Sequence, residues 1–413
     1  MGRERELDSL KMRPPRKAYE MSPNKHKAGE PLRILYVHNS ADIYGASRSL
    51  TRLLSGLNRR RFEPSVVLPR DGPLKSFIVN LKVTVFFDST LAIVDRYTGR
   101  LRLFCYRFPM SVWRLYRLIR KEDINLVHTN TAVMFSPGLA AKLAGIPHVW
   151  HVRESFDEFR GRLWRIYSTY MRMVSNKIVC VSNATANQFQ DREKVVVLHN
   201  GFFLDEFAVD QPRLRTEFRQ RFHINETDFV VACIGRIKWK RKGQEFLVRA
   251  AALLRDADKP FTLIIVGRPW PGNEEHLQRL HDLVDELSLR NRVVFAGELP
   301  DARPAYAASD VLALPSAQPE PFAGVVMEAM AMGKPVIATA IGGSLDQVVD
   351  GQTGYLVPPA DPAALAEKIR VLIQDPELRR RMGEAGTERV RTHFGVQRML
   401  EKLETIYSEV LTQ

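Results

Sequence analysis

From Arg33 onward the chain alternates short apolar runs with segments of helical spacing. RILYVH is a run of the buried-strand type, and ASRSLTRLLSGL after it carries apolar residues at helical intervals. FEPSVVLP, TVFFD, INLVH, HVWH, KIVCVS and VVVLHN follow as further β-rich runs, most of them separated by helical segments. A second series starts near residue 228. FVVACIGR, FTLIIVGR, RVVFAG, DVLALP and PVIATA alternate there with stretches such as GQEFLVRAAALL and PAALAEKIRVLI. This alternation predicts parallel sheets covered by helices, hence two α/β domains in succession. The seam is expected near HNGFFLDEF, residues 199–207, and VQRMLEKLETIYSEVL predicts an amphipathic helix. Residues 1–30 are rich in charge and proline, show no steady period and read as a disordered basic arm. The expected division is therefore an arm over 1–30, a first domain over 31–205, a second over 206–390, and a C-terminal helix over 391–413 that would pack back on the first domain.

Composition narrows the class. With 413 residues, 45% hydrophobic and 26% charged, the chain is long enough for two cores and has ordinary globular usage. No apolar run approaches the ~18 residues of a membrane span. The basic stretch MGRERELDSLKMRPPRK lacks the apolar segment of a secretory signal. Cys105, Cys180 and Cys233 are scattered, form no metal or disulfide framework, and fit a cytoplasmic location; Cys180 and Cys233 lie in strand-like runs and are expected to be buried. A net charge of +14 favours anionic partners: nucleotide phosphates, nucleic acid or an acidic membrane surface. Basic residues mix with aromatics over residues 96–121 and 159–173, which suits contact with anionic lipid at the inner face of a membrane or, equally, helices laid on a sheet with their arginine stems along its edge.

The chemistry concentrates at expected strand ends. In EPFAGVVMEAMAMGKPVIA, Glu320 and Glu328 stand eight positions apart. Pro321 disfavours helix at Glu320, so we expect a loop ending there, a helix opening at Phe322, Ala323, Gly324 and Val325, and Glu328 in its second turn. Amides at such an opening suit phosphate, and two carboxylates beside them suit a ligand that also carries hydroxyls. In IGRIKWKRKGQEFL, Arg236 follows a strand and Lys242 precedes the next helix, placing two cations where open α/β sheets bind ligands. Gly267 and Gly297 repeat the strand-then-glycine arrangement. The Gly-Gly of AIGGSLDQVVDGQTGYLV either approaches a ligand or makes a tight connection. In the first half, Gly45 lies in the loop after the first strand, and HVWHVRESF places His151, Arg153 and Glu154 at a strand end, with His128 of INLVH a competing candidate. Neither sheet opens with G-x-G-x-x-G, which weakens a dinucleotide oxidoreductase reading.

GRIKWKRKG, EPFAGVVMEAMAMGKPVIAT and GGSLDQVVDGQTGYLV, in that order, resemble family 4 glycosyltransferases of the GT-B fold, and the likeness spans nearly the whole chain after residue 30. The resemblance implies two Rossmann-like α/β/α domains facing across a cleft. It implies a nucleotide-sugar donor in the second domain, an acceptor held mainly by the first, transfer with retention, and no cofactor or bound metal. Arg236 and Lys242 would bind the diphosphate, Glu320 the donor sugar hydroxyls and Glu328 the ribose hydroxyls. Amides around Phe322 to Val325 would touch phosphate, with Ala323 and Gly324 among them. His151 matches the active-site histidine of the family, and Gly45 a glycine of its first loop. Two departures stand out: Tyr44 replaces the first glycine of a usual Gly-Gly pair, and Ala323 interrupts a usual Pro-Phe-Gly. The expected function is a retaining, metal-independent glycosyltransferase moving a hexose-type sugar from UDP or GDP to a glycan or lipid-linked acceptor, as in cell-surface polysaccharide or glycolipid synthesis. The alternatives are a GT-B-like nucleotide-sugar epimerase and a non-catalytic sugar-nucleotide-binding protein. A nucleic-acid partner is not expected, since no recognised motif supports one.

Overall fold

The computed structural model describes residues 4–6, 30–91, 101–156, 161–255 and 259–412, with backbone alone at 4–6 and 101–104. Of the expected arm, residues 1–3 and 7–29 lie outside the described residues, while Glu4–Glu6 form a short strand. The chain divides into two compact units. Unit 1 comprises residues 1–201 together with 396–413, and unit 2 comprises residues 202–395.

Unit 1 is built on an eight-stranded sheet of β1 (Glu4–Glu6), β2 (Leu32–Val37), β3 (Phe62–Leu68), β4 (Thr84–Phe87), β5 (Leu126–Thr129), β6 (His148–Val152), β7 (Lys177–Cys180) and β8 (Val195–Val197). The spatial order is β1-β4-β3-β2-β5-β6-β7-β8, and every pair is parallel. Unit 2 holds β9 (Phe229–Ile234), β10 (Phe261–Val266), β11 (Val293–Gly297), β12 (Val311–Leu314), β13 (Val336–Thr339) and β14 (Gly354–Val357), in the order β11-β10-β9-β12-β13-β14, again all parallel. Both sheets reverse direction of growth once, between β2 and β5 in unit 1 and between β9 and β12 in unit 2. Such switch points leave a crevice at the carboxyl ends of the two strands.

The central strands of unit 2 are mostly apolar because helices cover both faces. All six residues of β9 and of β10 are buried. Successive residues alternate between faces. Val231, Cys233, Leu263 and Ile265 pack with Leu247, Val248, Leu280 and Ile369, whereas Val230, Ala232, Ile264 and Val266 pack with Tyr306, Val326, Met327 and Met330. Helix starts carry their own signals. Asp361 and Asp375 accept from the amides of Ala364 and Leu378, each followed at once by proline.

The helix Val396–Leu411 belongs to unit 1. It buries Val396, Met399, Leu400, Leu403, Ile406, Tyr407 and Val410. Tyr407 lies edge-on to Phe62 with ring centroids 5.7 Å apart, and its hydroxyl is 2.9 Å from that of Tyr36. Cys180 and Cys233 are buried, which pushes both thiols up to about 12; Cys105 is exposed. Among the described residues no helix is long and apolar enough to cross a membrane.

Candidate functional site

In unit 2 the switch point gathers most of the residues singled out in the sequence. Strand β9 runs into Gly235 and Arg236, and the loop after β12 carries Ser316 and Glu320. Lys242 Nζ donates to Glu320 Oε2 at 2.5 Å, and the Ser316 hydroxyl donates to Glu320 Oε1. Burial opposes ionisation of Glu320, but the Lys242 charge, the two hydrogen bonds and the Arg241 charge outweigh it and hold the carboxyl below its ordinary range. Arg236 lies over the Trp270 ring, its Cζ 4.1 Å from the centroid, a cation–π contact that holds the guanidinium beside the strand end.

The helix carrying the second carboxylate spans Gly324–Ala331, two residues later than a start at Phe322. Glu328 sits in its second turn, almost fully buried, and accepts from the Tyr306 hydroxyl at 2.9 Å. Ala323 is the N-cap, and its amide is not free: it donates to Gln347 Oε1 at 3.1 Å, while Gln347 Nε2 returns a bond to the Ala323 carbonyl at 2.8 Å. Of the four expected phosphate amides, that of Ala323 is therefore engaged within the fold.

The glycines resolve differently from a ligand-approach role. A Cβ on Gly342 would meet the Glu320 backbone at 2.5 Å, and one on Gly343 would meet the Pro321 carbonyl oxygen at 2.2 Å. Gly343 also donates to the Glu320 carbonyl at 2.7 Å. The Gly-Gly pair thus backs the Glu320 loop. Gly267 has φ +136°, and a Cβ there would lie 2.0 Å from the Gly235 carbonyl oxygen, so its smallness serves strand-end packing. Gly243, with φ +68°, lets the helix Gln244–Ala252 start against the Pro315 carbonyl and so aims Lys242 at Glu320.

Unit 1 places a second polar cluster at the carboxyl ends of β2, β5 and β6. His38 follows β2, Asn130 follows β5, and His151 and Arg153 lie at the end of β6. His128 and His151, named separately in the sequence, are neighbours here, with His128 Nε2 3.3 Å from His151 Nδ1. Arg153 donates to Asn130 Oδ1 at 3.1 Å, Ser49 Oγ at 2.9 Å and Asn200 Oδ1 at 2.5 Å, and Nη2 lies 3.2 Å from His151 Nδ1. Glu154 Oε2 accepts from the amides of Ala132 and Arg153, which ties the β5 and β6 ends together. Burial pushes Glu154 up to about 7 against those bonds, and burial brings Arg153 down to about 10. His38 and His148 fall to about 3, burial being the main cause. Gly45 is the first residue of the helix Gly45–Gly56, exposed, with open space where a side chain would be.

Several partners escaped the sequence reading: Ser316, Tyr306, Gln347, Trp270 and, in unit 1, Asn130 and Tyr407. Tyr407 alone left a usable trace, a hydroxyl on the apolar stripe of an amphipathic helix, which needs a buried partner. Among the described residues no group of three or more His, Cys, Asp or Glu could hold a metal ion.

The two segments mixing bases with aromatics are helices in their described parts; residues 96–100 and 159–160 lie outside the described residues. The helix Leu101–Lys121 exposes Tyr106, Trp113 and Tyr116, and Arg117 lies over the Trp113 ring at 4.8 Å. The helix Arg162–Val174 exposes Leu163, Ile166 and Met173, at 72%, 68% and 63% of their surface. The helix Ser136–Ala144, which packs against both, exposes Leu143 beside Lys142.

The model of the family "Glycosyl transferases group 1" matches residues 215–389, and that of "Glycosyltransferase Family 4" matches residues 43–206. A D-inositol 3-phosphate glycosyltransferase of Corynebacterium aurimucosum is 31% identical over 302 residues, 70% of this chain and 67% of that protein. The protein of the same description from Corynebacterium glutamicum is 33% identical over 225 residues, 54% of this chain and 53% of its own length. The chain thus spans about half the length of several of the curated relatives it matches. Among solved structures, the Anabaena protein Alr3699/HepE in complex with UDP superposes with a TM-score of 0.79 at 25% identity, covering 92% of this chain and 100% of that one. A complex of the same protein with UDP-glucose gives 0.77.

Proposed function

The chain belongs to glycosyltransferase family 4, group 1, with the two Rossmann-like units of the GT-B class, and on that premise we propose that it transfers a sugar from a nucleoside diphosphate, UDP or GDP, to a glycan or lipid-linked acceptor. The observation that carries this reading is the Lys242–Glu320 pair at the β9/β12 switch point, with Arg236 at one strand end and Glu328 buried in the following helix. Breaking a glycosyl–diphosphate bond builds negative charge on the leaving phosphate. Arg236 and Lys242 are fixed cations able to meet that charge, and cations held in place act without reorganising. The amides of Gly324 and Val325, at the start of the helix, add to them. We assign no metal to this step and take transfer to proceed with retention.

Glu320 accepts one hydrogen bond on each oxygen and keeps lone pairs for sugar hydroxyls. Glu328, held by Tyr306, is assigned to the ribose hydroxyls. In unit 1, His151 is assigned to a hydroxyl of a substrate sugar. Arg153 and Glu154 are assigned to the support of that histidine and of its strand end, on the strength of their hydrogen bonds to His151, Asn130, Ala132 and the Arg153 amide. The exposed apolar and basic face of the helices Leu101–Lys121, Ser136–Ala144 and Arg162–Val174 supports a place on an anionic membrane surface, at the inner face if the acceptor is lipid-linked.

Thermal shift against UDP, GDP, ADP and their sugar conjugates tests the donor. A ligand at ~100 times its Kd adds about 2.7 kcal/mol. One nucleotide should stabilise the protein, and Lys242→Ala, read against its own melting temperature without nucleotide because Glu320 there loses its cation, should lose most of that shift. A folded protein that responds to no nucleotide would point to a scaffold instead.

A further inference from the structure

Five side chains of unit 1 form a connected series. The Tyr36 hydroxyl lies 2.9 Å from that of Tyr407, and the Tyr407 hydroxyl lies 2.7 Å from His128 Nδ1. His128 Nε2 lies 3.3 Å from His151 Nδ1, which Arg153 Nη2 also approaches to 3.2 Å. The two tyrosines and two histidines are at most 1% exposed.

The direction of every bond follows from the arginine. A guanidinium only donates, so His151 Nδ1 is an acceptor and carries no proton. Burial, the Arg153 charge and the proximity of the two rings all disfavour an imidazolium here. A neutral His151 then carries its proton on Nε2. His128 in turn must donate from Nε2, which leaves its Nδ1 to accept from the Tyr407 hydroxyl. That oxygen accepts from Tyr36. Two donors share one lone pair on His151 Nδ1, which accounts for the length of both bonds. The series is complete at every atom but one: His151 Nε2 is buried and has no partner. A buried donor left unmade is costly, so its place in the fold points to a ligand atom that completes it.

We propose that His128 and Tyr407 are positioning residues, which together with Arg153 hold His151 as its Nε2–H tautomer and aim that single N–H at a hydroxyl oxygen of a substrate sugar. The helix Val396–Leu411 thereby takes part in the reaction through a residue 279 positions along the chain from its histidine partner. This rests on the assignment of His151 to substrate.

Two readouts separate the inference from that assignment. Nitrogen-15 spectra of the full chain labelled at histidine report tautomers without any reaction. Both His128 and His151 should be protonated at Nε2 and bare at Nδ1; either ring found as the Nδ1–H form overturns the inference. In transfer assays His128→Phe, which removes the donor, should lower kcat about tenfold with nucleotide affinity unchanged. His128→Gln, whose amide N–H can stand in for Nε2–H, should recover most of that loss. Tyr407→Phe, which removes only a hydroxyl, should lower kcat by a smaller factor, since Arg153 still sets the direction of the His128–His151 bond. Equal losses in His128→Phe and His128→Gln, or an unchanged kcat in all three, would mean packing alone and overturn the inference while the enzyme assignment stands. A parent chain with both tautomers as stated, but no transfer from any nucleotide sugar, would overturn the assignment of His151 to substrate.

Discussion

A methyl group added at Gly343 would sit 2.2 Å from the Pro321 carbonyl oxygen and 3.0 Å from Phe322 Cα. Backbone cannot step aside as a flexible side chain can. We therefore expect Gly343→Ala to destabilise unit 2 by about 3 kcal/mol and to weaken nucleotide binding by displacing Glu320. Gly351 has φ +72° but open space around it, so Gly351→Ala should cost only about 1 kcal/mol, the left-handed penalty alone. Urea unfolding of the two variants checks the contrast, and equal midpoints would show that the Glu320 loop yields freely. The same positions show what a sequence can disclose about a site. Arg236 and Lys242 stood out because charges beside glycine at a strand end are chemically unusual, and Glu320 and Glu328 because two carboxylates flank an otherwise apolar helix opening. The purpose of the glycines was not, since a glycine admits a ligand or a neighbouring loop equally well, and only coordinates tell which. Ser316, Tyr306 and Gln347 are ordinary residues that matter through where the backbone carries them.

At the level of elements, the apolar runs foretold the strands closely because parallel strands buried on both faces carry few polar residues to blur their ends. The β9 run FVVACI and the β10 run FTLIIV are cases in point. The helices Leu101–Lys121 and Arg162–Val174 were legible as amphipathic, yet the sequence left two readings open, a lipid face or arginine stems along a sheet. The structure buries Leu115, Leu118 and Ile119 of the first and Met171 and Val174 of the second, while leaving Trp113, Leu163 and Ile166 outside. Both faces of each helix thus carry apolar side chains, one turned to the sheet and one outward. The protein should float with vesicles containing phosphatidylglycerol and not with phosphatidylcholine alone. Leu163→Glu with Ile166→Glu should weaken that binding about tenfold or more. Flotation of the double variant equal to the parent's would place the membrane contact elsewhere.

For the molecule as a whole, acid is the informative perturbant. His38, His128, His148 and His151 are buried and neutral in the fold, with His38 and His148 brought down to about 3, whereas an unfolded histidine titrates near 6.5. Below that pH the unfolded chain binds protons that the folded one refuses, and stability falls with acidification. The limit is ~1.4 kcal/mol per pH unit for each histidine. Glu154 acts in the opposite sense, since its value of about 7 exceeds the ordinary 4.5 and it takes its proton first in the fold. Four groups outweigh one, so the urea midpoint of unit 1 should be lower at pH 5.5 than at pH 7.5; an unchanged midpoint would mean that these histidines are charged or solvated in the fold. The return of residues 396–411 to unit 1 has its own bearing on how the protein is made. On the ribosome, residues 1–201 emerge first, but residues 202–395 follow before the last segment of unit 1 and can close their own sheet as soon as they are out. Unit 1 must wait, its Tyr36 and His128 lacking the Tyr407 hydroxyl, until the segment bearing it has been synthesised. A transcript cut short anywhere after unit 2 would yield a complete unit 2 attached to an unfinished unit 1, so assembly of the histidine cluster doubles as a check that translation has run past residue 407.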